Sequence, residues 1–152
     1  MQWTTLLVTL LGAAIAMGTA LLVQARRDRH DLAAEWRKTR REMYMTFLAV
    51  LAQARNELLA LAKKSGMTEA NRDEMARQVF ARCYEPRHHL ELIAPREVSE
   101  PALAYFRSVR SLRNLVAAGK GITDPEWKPH ATQVKRALDT AQEAMREDLQ
   151  RM

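Results

Sequence analysis

Up to Ala25 the chain is apolar or small, with Trp3, Leu6, Leu7, Val8, Leu10, Leu11, Ile15, Leu21, Leu22 and Val23, and no charged side chain precedes Arg26. Roughly 20 apolar residues rising 1.5 Å each cross a hydrocarbon layer about 30 Å thick, and a charge at its centre would cost about 2.5 to 3.5 kcal/mol. The pattern predicts a transmembrane helix over residues 1–25. Beyond it the apolar positions become periodic. Tyr44, Phe47, Leu48, Leu51, Leu58 and Leu61 recur at three-, four- and seven-residue intervals and form one helical stripe. Leu32, Trp36 and Met43 extend this stripe toward the apolar segment as a thin seam on a charged stretch, read as a solvated connector. No Gly or Pro lies between Gly18 and Gly66. One helix is therefore predicted from the membrane segment to about Lys63, a rod on the order of 90 Å long.

Turn and cap signals divide the remainder. Ser65-Gly66 ends the long helix, and Asn71 followed by Glu74 has capping-box spacing, so a second helix is predicted near Arg72 with Met75, Val79, Phe80 and Cys83 facing inward. Pro86 lacks an amide hydrogen and disfavours helix at Glu85, which predicts a kink or break there and leaves the segment from Arg87 to Ile93 undecided. Ser99-Glu100-Pro101 is predicted to open a third helix that buries Leu103, Phe106, Val109, Leu112 and Val116 and stops at Gly119 to Gly121. Asp124-Pro125-Glu126 combines a cap acceptor, a first-turn proline and a carboxylate suited to the helix dipole. The last helix follows it. Trp127, Ala131, Val134, Leu138, Ala141 and Met145 alternate spacings of four and three, the seam of an antiparallel bundle or short coiled coil, and Leu149 extends it.

The expected fold is all-α. A transmembrane anchor (1–25) continues through a basic juxtamembrane stalk (26–42) into a cytoplasmic antiparallel bundle of three to four helices (43–152). Its expected core is Tyr44, Phe47, Leu51, Leu58, Phe80, Phe106, Val109, Leu112, Trp127, Val134, Leu138 and Met145. Leu138→Asp is expected to unfold it, since a large buried side chain contributes roughly 1.5 to 3 kcal/mol.

Charge adds an orientation. The 152-residue chain carries a formal +6, concentrated just past the apolar run in Arg26, Arg27, Arg29, Arg37, Lys38, Arg40 and Arg41, partly offset by Asp28, Asp31 and Glu35. Cationic flanks stay on the cytoplasmic side, so the N-terminus is expected outside and the bundle inside the plasma membrane. Val23-Gln24-Ala25 loosely resembles a signal-cleavage site, but the uncharged Met1-Gln2-Trp3 start and the length of the apolar run favour an anchor. Arg26, Arg27 and Arg29 are expected at lipid headgroups, each worth about 1 kcal/mol near an anionic surface. The interleaved acids argue against nucleic acid. Within the apolar segment Thr5, Thr9, Gly12, Ala16 and Ala20 mark one side. Four-residue spacing of small residues permits close backbone approach, so further copies of the chain are expected partners beside lipids and an unidentified protein.

Reactive chemistry has no evident candidate. Cys83 is the single cysteine, which excludes an intramolecular disulfide and a thiolate cluster. His88 and His89 are adjacent and diverge by about 100° on a helix, whereas helical metal ligands sit at i, i+4. Gly119-Lys120-Gly121-Ile122-Thr123 echoes the end of a phosphate loop, but Asn114 stands where its first glycine belongs and no strand precedes it. No catalytic residue, cofactor or metal is expected.

Several stretches resemble a group of small single-pass actinomycete membrane proteins labelled CchlQ or, more loosely, KilB-like. They are Trp3-Thr4-Thr5-Leu6, Ala16-Met17-Gly18, Arg40-Arg41-Glu42-Met43-Tyr44-Met45-Thr46-Phe47, Tyr84-Glu85-Pro86-Arg87 with Leu90 and Leu92, Val98, Phe106, Leu112-Arg113 and Val116-Ala117-Ala118-Gly119. Pro86 departs from that pattern. The KilB label implies a part in conjugative plasmid spread. The favoured expectation is a non-enzymatic, membrane-anchored interaction or scaffold protein. The alternative is a self-assembling component acting in plasmid transfer or membrane permeabilisation. Only Thr4, Thr5, Thr9 and Thr19 could wet a channel, which favours anchoring.

Overall fold

A computed structural model describes the backbone of residues 2–151 and the side chains of residues 32–151. Among the described residues there are five helices and no strand: α1 (Gln2–Ala62), α2 (Glu69–Ala81), α3 (Tyr84–Ile93), α4 (Arg96–Ala117) and α5 (Trp127–Arg151). The chain divides into two compact units, residues 1–38 and 39–152. The helix expected to reach about Lys63 ends at Ala62. No helix among the described residues is long and apolar enough to cross a membrane. The expected span, residues 1–25, lies outside the described side chains.

Within the second unit the α1 stripe is buried at Tyr44, Phe47, Leu51, Ala54, Leu58 and Leu61. It packs with a face of α4 whose inward residues Val98, Ala102, Tyr105, Val109, Leu112 and Val116 alternate steps of four and three, the spacing that keeps one side of a helix against a core. α5 closes the core with Trp127, Val134, Ala141 and Met145, and α2 adds Ala76 and Phe80. The ten-residue α3 inserts Leu90, an element beyond the three or four helices expected.

α5 runs antiparallel to both long neighbours. Its last turns border a hollow with Pro95, Glu97 and Val98 at the start of α4, while Asp148 bonds Tyr44 on α1. At the other end a Cβ on Gly121, in the α4–α5 loop, would stand 3.4 Å from the Ala62 carbonyl oxygen that ends α1.

The helix starts differ from expectation where a cap lies further upstream. α2 begins at Glu69 because Thr68 is its N-cap, extended in backbone and accepting the Asn71 amide at 3.3 Å; Asn71 lies inside the first turn. The break expected at Pro86 falls earlier, at Arg82 and Cys83. Pro86 then occupies the first turn of α3, where an amide hydrogen has no intrahelical acceptor, so Glu85 is helical after all. α4 likewise starts at Arg96 rather than at Ser99-Glu100-Pro101. Pro95 is its N-cap, and the Pro95 carbonyl accepts the amides of Val98 at 3.0 Å and Ser99 at 2.9 Å. Pro101 is thus interior and removes one amide donor, a loss outweighed by the long buried face that follows.

At the end of α4, Gly119 has φ +78°. Its amide donates to the Val116 carbonyl and that of Lys120 to the Leu115 carbonyl, both at 3.0 Å, the paired bonds of a Schellman stop. Asp124 works backward from the expected cap: its carboxylate accepts the Gly121 amide within the loop, and its carbonyl accepts the Trp127 amide at 3.0 Å.

Five inward positions are also corrected. Met75 and Ala131 are exposed, Val79 and Leu138 are half-buried at the edge of the core, and Leu103 is half-buried outside it. The α5 seam runs through Trp127, Val134 and Ala141 at seven-residue steps, and Leu138 lies about 40° off Val134 around the helix. A partly solvated side chain tolerates change better than a core one, so Leu138→Asp is expected to cost less than the same change at a fully buried position such as Leu58.

Candidate functional site

The residues expected to act in the membrane, Thr5, Thr9, Gly12, Ala16 and Ala20, and those expected at headgroups, Arg26, Arg27 and Arg29, lie outside the described side chains. Of the expected core residues, Tyr44, Phe47, Leu51, Leu58, Phe80, Phe106, Val109, Leu112, Trp127, Val134 and Met145 come together in one buried cluster with Leu138 at its margin.

Reactive groups are scattered. His88 and His89 are exposed on α3, and His88 Nδ1 lies 3.7 Å from Glu91 Oε2. Among the described residues no three His, Cys, Asp or Glu side chains are placed to hold a metal ion. Cys83 is buried. Burial pushes its thiol up to about 11, Arg82 opposes the rise and Glu57 adds to it, so the nucleophilic thiolate is scarce at neutral pH. In the loop after α4 the amides of Gly119 and Lys120 are taken by helix carbonyls and that of Gly121 by Asp124. A phosphate would find none of the three free.

Two polar assemblies organise the surface. In the first, Arg40 Nη1 donates to both oxygens of Asp148 at 3.1 Å, and the Tyr44 hydroxyl donates to Oδ2 at 2.7 Å. Burial chiefly, then the bond and the charge of Asp148, hold the Tyr44 phenol well above its usual range, while Arg40 pulls it back. The three side chains latch the first turns of α1 in this unit to the last turns of α5.

The second lies where α2, α3 and α4 meet. Phe80 and Phe106 pack with ring centroids 5.0 Å apart, and the half-exposed Tyr84 meets both edge-on at 5.7 and 5.5 Å. The Arg87 guanidinium lies 5.2 Å above the Phe106 ring and that of Arg113 5.6 Å above Phe80. Each cation faces the negative side of a ring, worth roughly 0.5 to 1 kcal/mol near the surface. Arg107 and Arg110 stand outward on the same helix as Arg113.

Three placements were invisible to the pattern along the chain. Arg72, expected as a first helical residue, is buried; it donates to the Lys64 carbonyl at 2.9 Å and the Leu61 carbonyl at 3.5 Å. It thereby ties α2 to the end of α1, sharing the Leu61 carbonyl with the Lys64 amide, which donates to it at 3.1 Å, and taking the Lys64 carbonyl just past the helix. Its four-residue spacing to Ala76 and Phe80 was the available signal. Tyr105 is wholly buried, and among the described residues its hydroxyl has no partner; burial pushes it upward in pKa. Asp148 had no local signal at all. Compared with known proteins, the chain matches no protein family, no curated protein and no solved structure.

Proposed function

We propose that this chain is a non-enzymatic, single-pass membrane-anchored interaction module whose helical unit, residues 39–152, holds a protein partner at the cytoplasmic face of the plasma membrane. The observation that carries the reading is the order of segments: an uncharged apolar run, then Arg26, Arg27 and Arg29, then a unit with its own buried core. An uncharged run of this length suits hydrocarbon, and the arginines after it suit retention on the cytoplasmic side. The small residues Thr5, Thr9, Gly12, Ala16 and Ala20 suit close packing with a second copy inside the bilayer.

The test is alkaline carbonate extraction of membranes bearing the full chain, combined with reporter fusions at Met152. Retention in the pellet with a cytoplasmically active reporter is expected. Release by carbonate overturns the anchor, and periplasmic reporter activity overturns the orientation. Gly12→Leu is expected to weaken crosslinked dimers in the membrane; unchanged yield removes self-association through this face.

A further inference from the structure

From Pro101 to Thr123 the chain has no acidic side chain, yet it carries Arg107, Arg110, Arg113 and Lys120. Three-residue spacing turns each successive arginine about 60° around a helix, so all three leave α4 within about a third of its circumference. Arg107 and Arg110 are exposed, and Arg113 is half-buried over Phe80. Among the described residues none of the three forms a salt bridge. By contrast Arg77, Arg82, Arg87, Arg96, Arg146 and Arg151 each hold a carboxylate, all but Arg82 doing so three or four residues away on their own helix. Among the described residues no carboxylate pairs with the cationic face of α4.

The neighbouring side chains narrow the occupant. Ala104, Ser111 and Asn114 are short and lie on the outward or flanking side of α4, so another backbone can approach the guanidinium groups. No large apolar side chain of α4 is exposed among the described residues. Insertion into a lipid interface draws on such anchors. Base stacking draws on exposed rings; α4 itself offers none, since Tyr105 and Phe106 are buried, and the half-exposed Tyr84 of α3 stands edge-on to Phe80 and Phe106. What remains is charge and fork geometry, which a guanidinium offers to a carboxylate in paired hydrogen bonds.

We infer that the outward face of α4, centred on Arg107 and Arg110, docks a carboxylate-rich segment of a protein partner, an inference that rests on the interaction-module reading above. Complementary charge of this kind sets partner choice and association rate, and salt weakens it.

The experiment uses the full chain in its native membranes, with a photoreactive amino acid at the position of Ala104 and, separately, at that of the exposed Met45. Irradiation at Ala104 is expected to give a protein adduct whose crosslinked peptide, mapped by mass spectrometry, is rich in Asp and Glu. Its yield should fall about tenfold in Arg107→Glu/Arg110→Glu, as loss and reversal of two rim charges predicts. It should hold in Lys135→Glu/Arg136→Glu on α5, and return when the mapped carboxylates are exchanged for lysine. Arg107→Gln/Arg110→Gln, which adds no charge to α4, should lower the yield in the same direction, and thermal melts by circular dichroism should match the parent in all variants. Lipid or nucleic-acid adducts at Ala104, or a protein adduct indifferent to charge reversal, overturn the inference. Protein adducts from Met45 alone leave the module reading standing and discard the α4 face. Protein adducts from neither position discard both.

Discussion

Tyr44 and Asp148, separated by 104 positions, meet in a 2.7 Å hydrogen bond in which the phenol donates to carboxylate Oδ2. Arg40 neutralises the same carboxylate. Tyr44→Phe removes the donor and leaves Oδ2 one partner short, so a loss of about 1 to 2 kcal/mol is expected in urea unfolding. Asp148→Ala should cost at least as much, because the Tyr44 hydroxyl is then left without its acceptor.

Tyr105 gives the opposite expectation from the same substitution. Its hydroxyl is buried with no hydrogen-bond partner among the described residues, and an unsatisfied buried donor is a net cost. Tyr105→Phe should therefore be neutral or raise stability by up to about 1 kcal/mol in the same assay. A loss comparable with that of Tyr44→Phe would refute the orphaned placement.

Alkaline pH should destabilise the helical unit before it affects the helices themselves. Burial raises the Cys83 thiol from 9.0 to about 11, and the phenols of Tyr44 and Tyr105 are also raised. A group that holds its proton more tightly when folded contributes fully below its unfolded pKa, and the contribution fades as pH climbs through the folded value. The contribution of these three groups should be level from neutral pH to about pH 9 and fall above it, first from Cys83 and then, beyond about pH 10, from the tyrosines. Urea midpoints across this range check the sign, and Cys83→Ala should remove the earliest part of the decline. For the same reason a thiol reagent at neutral pH should label native Cys83 only as fast as the unit opens.

Arg72 is expected to matter more than its charge suggests. Arg72→Met keeps the buried stem but abandons the carbonyls of Leu61 and Lys64. Bonds from a charged donor are worth about 1.5 to 3 kcal/mol, and a loss within that range is expected by urea unfolding. Arg72→Lys should restore little, because one ammonium cannot copy the spread of the guanidinium fork.

Two leucines separate core from margin. Leu58 is fully buried and Leu138 only half-buried. Leu58→Ala should cost about 2 to 5 kcal/mol, and Leu138→Ala clearly less, since partly solvated sites leave no closed cavity. Equal losses would place Leu138 in the core.

Helical class, the long run of α1, the stop at Gly119 and most inward positions were legible in the chain, because a 3.6-residue period and a scarcity of Gly and Pro act locally. Helix starts were less so. Thr68 competed with Asn71, and Pro95 with Ser99, for the same role, and the residue that caps is decided by the backbone angles which the loop adopts when the helices pack.

By itself, then, the order of side chains determined that residues 43–152 would form mainly helices with apolar stripes, leaving Arg87 to Ile93 open, and that uncharged and basic segments would precede them. Only the tertiary structure decided that Arg72 closes the end of α1, that Asp148 reaches Tyr44 and Arg40, and that, among the described residues, Tyr105 lacks a partner and Arg107 and Arg110 hold no carboxylate. Periodicity depends on neighbours a turn away, whereas these pairings depend on which helices meet and at what height, a choice made by how the whole core fills its volume.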